Sequence, residues 1–391
     1  MTDQLPSKAE TLLLYACVQQ TPSAIDAWRQ WQKEVPFDDI DLGSRRLLPM
    51  LHDNLKRLRV EDPILRKYEG LKKLHWFHNR LLMFHLKSVL ESFSCARVVP
   101  LLIKGSALNV QGLFPPGLRP MTDLDIVVPV GKEMEAIAIV EGIGWKSDNG
   151  QDRPINACDI RFCYHSKFAK EPSVVLELHW ETASQFIRGV ASERIWENSI
   201  LTDWQGYPCR LLNPSDHLLL ILAHGGQHNN IPPIRWATDA LAILEHQNIE
   251  WEYFTQQADQ HRLSFVVGGM LDYLNKQFQA NIPNSLVQAI RAISVKQFDR
   301  RVWKDMQRPN HIRGVLSALD SYWLKLCRFE SGKPSLSGGI SYVRYIAGLK
   351  RNGKGFTGLL ANVVKRVRNS FRRSASSPSL SGTPLRDDST N

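Results

Sequence analysis

Cysteine is scarce in this chain and never occurs in the CxxC spacing of zinc ribbons and redox motifs. The cysteines are scattered along the sequence, which does not suggest a disulfide framework. Reduced thiols in a cytoplasmic protein are therefore expected. The six cysteines are Cys17, Cys95, Cys158, Cys163, Cys209 and Cys327.

The sequence also has no long apolar run and lacks the glycine pattern of dinucleotide-binding folds. No stretch approaches the roughly 18 consecutive apolar residues that a membrane-spanning helix requires. The opening residues MTDQLPSKAE have no apolar core beside positive charge, so no signal peptide is predicted. No GxGxxG follows a predicted strand, which argues against a doubly wound dinucleotide-binding fold.

Positive charge is concentrated near the C terminus. The formal net charge of the 391 residues is +10. From Ser341 to the end there are ten Lys or Arg and two Asp, a net of +8, which leaves +2 for residues 1–340. A nearly neutral body does not indicate an RNA substrate, although a basic tail is compatible with one.

The spacing of apolar residues divides the chain into five regions. Residues 1–94 are predicted to be helical, residues 95–212 to form the core, and residues 213–330 to form a C-terminal helical domain. Residues 331–373 contain a Gly/Ser/Pro-rich linker and a basic amphipathic helix. Residues 374–391 are polar and of low complexity, which predicts disorder.

The core region changes from helical to strand-like patterning. Four segments are predicted as strands: RVVPLLIKG, TDLDIVVPV, CDIRFCYHS and SVVLELHWE. The segment KEMEAIAIVEGIGW, between the second and third, has helical spacing. The predicted fold class is α+β, with a small mixed β-sheet flanked by N-terminal and C-terminal helical regions.

Two aspartates lie one residue apart in the second predicted strand. Alternate strand residues share a face, so Asp123 and Asp125 are expected to point the same way, about 6.5–7 Å apart. Two such carboxylates can hold a pair of divalent cations for in-line displacement at phosphorus, and Mg²⁺ suits hard oxygen ligands. The alternative is structural: Asp123 caps a turn after Pro120, and Asp125 pairs with Arg119 or another buried base.

A third carboxylate would complete an acidic site. Glu177 lies in the middle of the apolar strand VVLELHWE, and Asp159 in ACDIRFCY is a competing candidate. Glu177 is preferred because it lies deeper in its strand. A Gly-Ser turn, Gly105 and Ser106, follows an apolar strand upstream of the aspartates and could face a phosphate.

Together these segments resemble the polymerase-β-like nucleotidyltransferases, in which an apolar-Gly-Ser turn precedes an acid-x-acid strand and a third acidic strand. KGSAL, LRPMTDLDIVV and LELHW, in that order, are more closely similar to a bacterial family of uncharacterised nucleotidyltransferases. The resemblance covers roughly residues 75–245. It implies an NTP substrate and two Mg²⁺ ions, with Mn²⁺ as an alternative.

The resemblance also implies roles for individual residues. Asp123, Asp125 and Glu177 are expected to be the catalytic metal ligands, and Gly105 and Ser106 are expected to contact the triphosphate. Two basic residues flank this site and could neutralise phosphate charge. They are Lys104, which could instead be a surface residue, and Arg119, which could instead be a structural partner of Asp123.

Three histidines are candidates for an acceptor pocket. His179 shares a strand face with Glu177. His224 and His228 have i, i+4 spacing, but a Gly-Gly pair between them argues against one continuous helix and against zinc. Farther along, Arg235 and Asp239 also have i, i+4 spacing, which predicts a supporting ion pair.

The basic segment 359–373 has three interpretations: a final packed helix, a helix on an anionic membrane surface, or an arginine-rich RNA-binding element. The first is preferred. For the whole chain, we expect an Mg²⁺-dependent transfer of a nucleoside monophosphate from an NTP to a hydroxyl, with pyrophosphate released. The acceptor could be a small molecule, a sugar, a protein or RNA. The alternative is a nucleotide-binding or scaffold protein that keeps the fold without turnover.

Overall fold

The computed structural model describes residues 5–148, 153–171, 173–187, 190–308, 320, 322–323 and 336–346. In this part of the chain, helices surround a seven-stranded mixed sheet. The α+β class and its helical flanks are therefore confirmed. The sheet is larger than the small one that the sequence predicts.

The strands are β1 (Leu101–Leu102), β2 (Leu124–Val127), β3 (Lys146–Ser147), β4 (His165–Lys170), β5 (Val174–His179), β6 (Ile200–Trp204) and β7 (Tyr207–Leu211). Their spatial order is β3-β4-β5-β2-β1-β7-β6. The β2–β5 and β1–β7 pairs are parallel, and the other neighbouring pairs are antiparallel. Strands β2 and β5 therefore lie side by side near the middle of the sheet.

The N-terminal helices are α1 (Lys8–Val18), α2 (Pro22–Glu34), α3 (Leu42–Arg45), α4 (Leu48–Arg57) and α5 (Leu65–Cys95). Those between the strands are α6 (Lys104–Val110), α7 (Glu133–Gly142), α8 (Ala157–Phe162) and α9 (Val190–Glu197). The C-terminal helices are α10 (Pro214–Gly225), α11 (Trp236–His246), α12 (Trp251–Gln260), α13 (Ser264–Phe278), α14 (Asn284–Ala292), α15 (Gln297–Met306) and α16 (Leu336–Ile346).

Two hydrophobic cores lie on opposite faces of the sheet. One contains α5, α7 and the inward residues Leu124, Ile126 and Leu178. The other joins the first four helices to the C-terminal helices, and Val127 of β2 reaches it from the sheet. Because strand residues alternate between faces, Asp125 lies on the second face, toward the helices. The candidate site thus lies between the sheet and the helical regions.

Local capping signals locate several helices correctly. The side chain of Ser7 accepts a hydrogen bond from the backbone of Glu10 and begins α1. The side chain of Asn213 caps α10, which ends at Gly225 as predicted. His224 and His228 are consequently not on one continuous helix.

The predicted strand CDIRFCYHS is wrong in its first part. Residues Ala157–Phe162 form α8, because Asn156 and Asp159 make a reciprocal capping box that starts a helix. Only the end of that segment enters β4. The β6–β7 hairpin was not predicted at all. Its two-residue turn consists of Gln205 and Gly206, both with positive φ, 55° and 89°.

Within the described part of the chain, no helix has both the length and the apolar composition needed to cross a bilayer. The predicted basic helix 359–373 and the predicted tail 374–391 lie outside the described residues.

Candidate active site

The acidic site is built on the parallel pairing of β2 with β5. Asp125 and Glu177 are direct register partners, so their side chains emerge from the same face of the sheet. The carboxylate side chains are almost enclosed, with 5% and 12% of their surface exposed. Two buried carboxylates side by side require compensating positive charge or a cation.

Lys104 supplies part of that positive charge. Its Nζ lies 2.7 Å from Oδ1 of Asp125 and 3.8 Å from Oε2 of Glu177. Burial alone would lower the pKa of Lys104, but the two carboxylates raise it above its usual value. Lys104 is the first residue of α6 and has a left-handed backbone, with φ of 47°. The positive charge of Lys104 is thus held beside the carboxylates of Asp125 and Glu177.

Asp125, Glu177 and His179 form a group that could hold a metal ion. One carboxylate oxygen from each acid and one imidazole nitrogen lie within 4.8 Å of one another. Nε2 of His179 is 3.2 Å from Oδ1 of Asp125 and 3.6 Å from Oε2 of Glu177. Carboxylates suit Mg²⁺ and Mn²⁺, and an imidazole ligand is compatible with Mn²⁺. The donor set therefore fits a divalent cation.

Both acids of this group are held in the ionised form. Burial acts against ionisation, but Lys104 and His179 lower the pKa of Asp125 below its usual value. Burial also opposes ionisation of Glu177, but the neighbouring His179 imidazole and the charge of Lys104 hold its pKa well below its usual range. The two carboxylates are therefore available as cation ligands at neutral pH.

Asp123 lies just before β2 and has a different environment. Its side chain is partly buried and accepts a hydrogen bond from Oγ1 of Thr122 at 3.2 Å. Burial, followed by the negative charges of Asp125 and Glu177, raises the pKa of Asp123 to about 6. Asp123 therefore interacts electrostatically with Asp125 and Glu177. It is not a member of the possible metal-binding group of Asp125, Glu177 and His179.

Gly105 and Ser106 lie in the first turn of α6, and Ser106 contacts the acidic strand β2. The hydroxyl oxygen of Ser106 accepts a hydrogen bond from the backbone N–H of Asp125 at 2.9 Å, and its side chain is fully buried. A Cβ atom at position 105 would lie 2.7 Å from Nη1 of Arg119. Glycine is needed here because a guanidinium group packs against the backbone.

Arg119 pairs with a residue that is distant in sequence. Its Nε and Nη2 each donate a hydrogen bond of 2.8 Å to the carboxylate of Asp239 on α11. The predicted i, i+4 ion pair of Asp239 with Arg235 is therefore replaced by this pair. Nη1 of Arg235 instead donates to the carbonyl oxygen of Pro120. Both arginines thus attach the segment before Asp123 to the C-terminal helices.

Two residues of β4 border the site without having been predicted. Nζ of Lys167 lies 3.0 Å from Oε1 of Glu177, and Nε2 of His165 lies 3.7 Å from the same oxygen. Burial, followed by the electrostatic interaction with the neighbouring His179, lowers the pKa of His165 to about 3. The His165 and His179 rings stack with centroids 5.0 Å apart. Strand alternation in HSKFAK could have revealed both residues.

The remaining candidates, Asp159, His224 and His228, differ in their surroundings. Asp159 accepts hydrogen bonds from Arg153 at 2.6 and 2.7 Å and from the hydroxyl of Tyr345 at 2.7 Å, so it is occupied in a separate cluster. His224 is near the site: burial, followed by the charge of Lys104, lowers its pKa to about 4. The backbone N–H of His228 donates to the carbonyl of Met306, at the end of α15.

Comparison with known proteins gives one finding. A protein-family model described as an uncharacterised nucleotidyltransferase matches residues 43–279, which includes every residue of the acidic site. No curated protein and no solved structure shows a significant match.

Proposed function

Because the chain belongs to the family of uncharacterised nucleotidyltransferases, we propose that it transfers a nucleoside monophosphate from an NTP to an acceptor hydroxyl. The family match agrees with the resemblance carried by KGSAL, LRPMTDLDIVV and LELHW. The observation that carries the proposal is the register pairing of Asp125 with Glu177, which joins two ionised carboxylates beside His179. A purely structural protein gains no stability from such a buried cluster.

In the proposed reaction, the oxygen of an acceptor hydroxyl bonds to the α-phosphorus and gives its proton to water. The bond from that phosphorus to the bridging oxygen breaks, and pyrophosphate leaves. Asp123, Asp125 and Glu177 would hold two Mg²⁺ ions, with His179 as a further donor and Mn²⁺ as an alternative metal. Bound cations of this kind neutralise phosphate charge and lower the pKa of an attacking hydroxyl.

The protein's own side chains would do the remaining work. Glu177, with its low pKa, is a weak base and so is better suited to metal binding than to removing the acceptor proton. Lys104 and Arg119 would offset negative charge on the phosphates, and the turn at Gly105 and Ser106 would lie under them. His179 and His224 border the space that the acceptor would occupy.

The test uses the purified full chain, each α-labelled NTP and Mg²⁺ or Mn²⁺, with and without cell extract. We expect pyrophosphate release and label transfer in the parent, and a loss of roughly 10³-fold or more in Asp123→Asn/Asp125→Asn. The exposed variant Asp26→Asn is the matched control and should keep the parent rate. Nucleotide binding that persists in the double variant, with no turnover in the parent, would instead identify a non-catalytic nucleotide-binding protein.

A further inference from the structure

Three arginines, Arg46, Arg119 and Arg235, lie beside the acidic site, and among the described residues one of them forms an ion pair. Arg119 is paired with Asp239. Within the described residues, neither Arg46 nor Arg235 forms an ion pair. Among the residues that the structure describes, the Arg235 guanidinium donates only to the carbonyl oxygen of Pro120, and the Arg46 guanidinium donates no hydrogen bond.

Close packing of separate elements holds these arginines near one another. Arg46 follows α3, and a Cβ atom at Gly43 in that helix would lie 2.5 Å from the carbonyl oxygen of Pro232. The loop containing Pro232 leads directly to Arg235, the N-cap residue of α11. The N-terminal helices are therefore in direct contact with the loop that carries Arg235.

Helix α5 fixes the third arginine relative to the acids. Nδ2 of Asn79 donates to the carbonyl oxygen of Arg119 at 2.8 Å, and the backbone N–H of Met121 donates to Oδ1 of Asn79 at 2.9 Å. This pair of hydrogen bonds holds the segment just before Asp123. Arg119 also packs against Gly105, so its guanidinium lies at the start of α6.

The electrostatic effects agree with this proximity. Burial, followed by the positive charges of Arg119 and Arg46, lowers the pKa of Arg235 to about 9, although the carboxylates of Asp239 and Asp123 act in the opposite direction. Burial also lowers the pKa of Arg46; Asp123 opposes this effect, and Arg119 adds to it. Partly buried like charges repel one another, and an anion between them removes that repulsion.

We propose that Arg46 and Arg235 form a binding site for the β- and γ-phosphates of the nucleoside triphosphate. The guanidinium group is chosen because its planar donors match phosphate oxygens, often in pairs. The location agrees with this ligand, since Asp123 and the turn at Gly105 would lie next to the α-phosphate. This inference rests on the proposed nucleotidyl transfer and names the chain's own residues that select a triphosphate.

The test compares Arg46→Gln and Arg235→Lys with the parent and with Arg66→Gln, which removes an exposed arginine from α5. Isothermal titration in buffer without divalent cations measures binding of inorganic triphosphate and of AMP. We expect Arg46→Gln to weaken triphosphate binding about 10-fold to 100-fold and to leave AMP binding unchanged. Its melting temperature without ligand should equal or exceed the parent's, because the cost of burying the Arg46 charge is removed.

Arg235→Lys keeps the charge but loses the paired donors, so it should weaken triphosphate binding less than Arg46→Gln. Equal triphosphate affinities in Arg46→Gln, Arg66→Gln and the parent would overturn the site. The site would also be overturned if Arg46→Gln weakened the binding of inorganic triphosphate but left the KM for NTP unchanged. The anion bound there would then be part of the acceptor and not of the NTP. Arg46-dependent triphosphate binding without pyrophosphate release from any NTP would keep the anion site and overturn nucleotidyl transfer.

Discussion

Nζ of Lys104 lies 2.7 Å from Oδ1 of Asp125, at the point where the first turn of α6 meets the acidic face of the sheet. Lys104 has a left-handed backbone, a conformation that non-glycine residues seldom adopt and that often occurs at functional sites. The ammonium group gives the neighbouring carboxylates a compensating charge within the protein itself. A cation that binds the acids therefore competes with Lys104 for the same oxygen atoms.

Lys104→Met should destabilise the metal-free protein by roughly 3 kcal/mol, because it leaves Asp125 and Glu177 buried without their nearest cation. Urea unfolding in buffer containing a chelator measures this loss. Adding Mn²⁺ or Mg²⁺ should recover more stability in Lys104→Met than in the parent, since the metal no longer competes with an ammonium group. The matched control is Lys167→Met, which removes a half-exposed partner of the same Glu177 and should cost less than about 1 kcal/mol. Equal losses in the two variants would contradict a special role for Lys104.

Gly105→Ala should lower both stability and nucleotide binding. The added Cβ would lie 2.7 Å from Nη1 of Arg119, so the guanidinium must move and strain its pair with Asp239. We expect a loss of about 1–3 kcal/mol in the free energy of unfolding, measured by urea titration. Gly269→Ala is the control: it lies in α13 with no atom near the new methyl group, so helix propensity should stabilise it by about 0.5–1 kcal/mol. A Gly105→Ala protein as stable as the parent would show that Arg119 adjusts freely.

Asp216 of α10 should make stability depend on pH. Burial raises its pKa to about 6, although Tyr253 and Asn213 donate hydrogen bonds to it. An unfolded aspartate has a pKa near 3.9, so the folded form binds the proton more tightly. The stability contributed by the protonated Asp216 is therefore lost as the pH rises from about 4 through about 6, a decrease of about 3 kcal/mol.

Asp216→Asn should remove that decrease. Free energies of unfolding, measured between pH 4 and pH 7 for parent and variant, isolate the effect because all other titrating groups are shared. Asp26→Asn, which changes an exposed carboxylate, should follow the parent curve. Parallel curves for the parent and Asp216→Asn would show that Asp216 has an ordinary pKa in the folded state.

Local sequence signals explain much of the fold. Ser7 and Asn213 have side chains that cap the next few backbone N–H groups, so the starts of α1 and α10 can be predicted without tertiary information. The apolar runs around Asp125 and Glu177 also predict that both residues lie on buried strands, although Asp123, expected on the same strand, lies just before β2. The error at α8 arose because the apolar residues of ACDIRFCY suggest a strand, whereas the capping pair Asn156 and Asp159 begins a helix.

The surroundings of the acids could not be predicted in the same way. Arg119 and Asp239 are 120 residues apart, and no spacing rule connects a loop before one strand to a helix in another region. The i, i+4 spacing predicts that Asp239 pairs with Arg235. In the structure the Asp239 carboxylate on α11 accepts hydrogen bonds from Arg119 instead. Arg46 likewise joins this group only through the packing of α3 against the loop at Pro232. Such contacts depend on the whole fold.

The third acid can be identified by comparing Glu177→Gln with Asp159→Asn. Glu177 is the register partner of Asp125, so Glu177→Gln should reduce pyrophosphate release at least about 100-fold under single-turnover conditions. Asp159 accepts two hydrogen bonds from Arg153, a partly exposed residue. Asp159→Asn should therefore lower the free energy of unfolding by about 1 kcal/mol and keep the rate within about 3-fold of the parent. The opposite pattern, with activity lost only in Asp159→Asn, would transfer the role to Asp159 and leave Glu177 as a partner for Lys104 and Lys167.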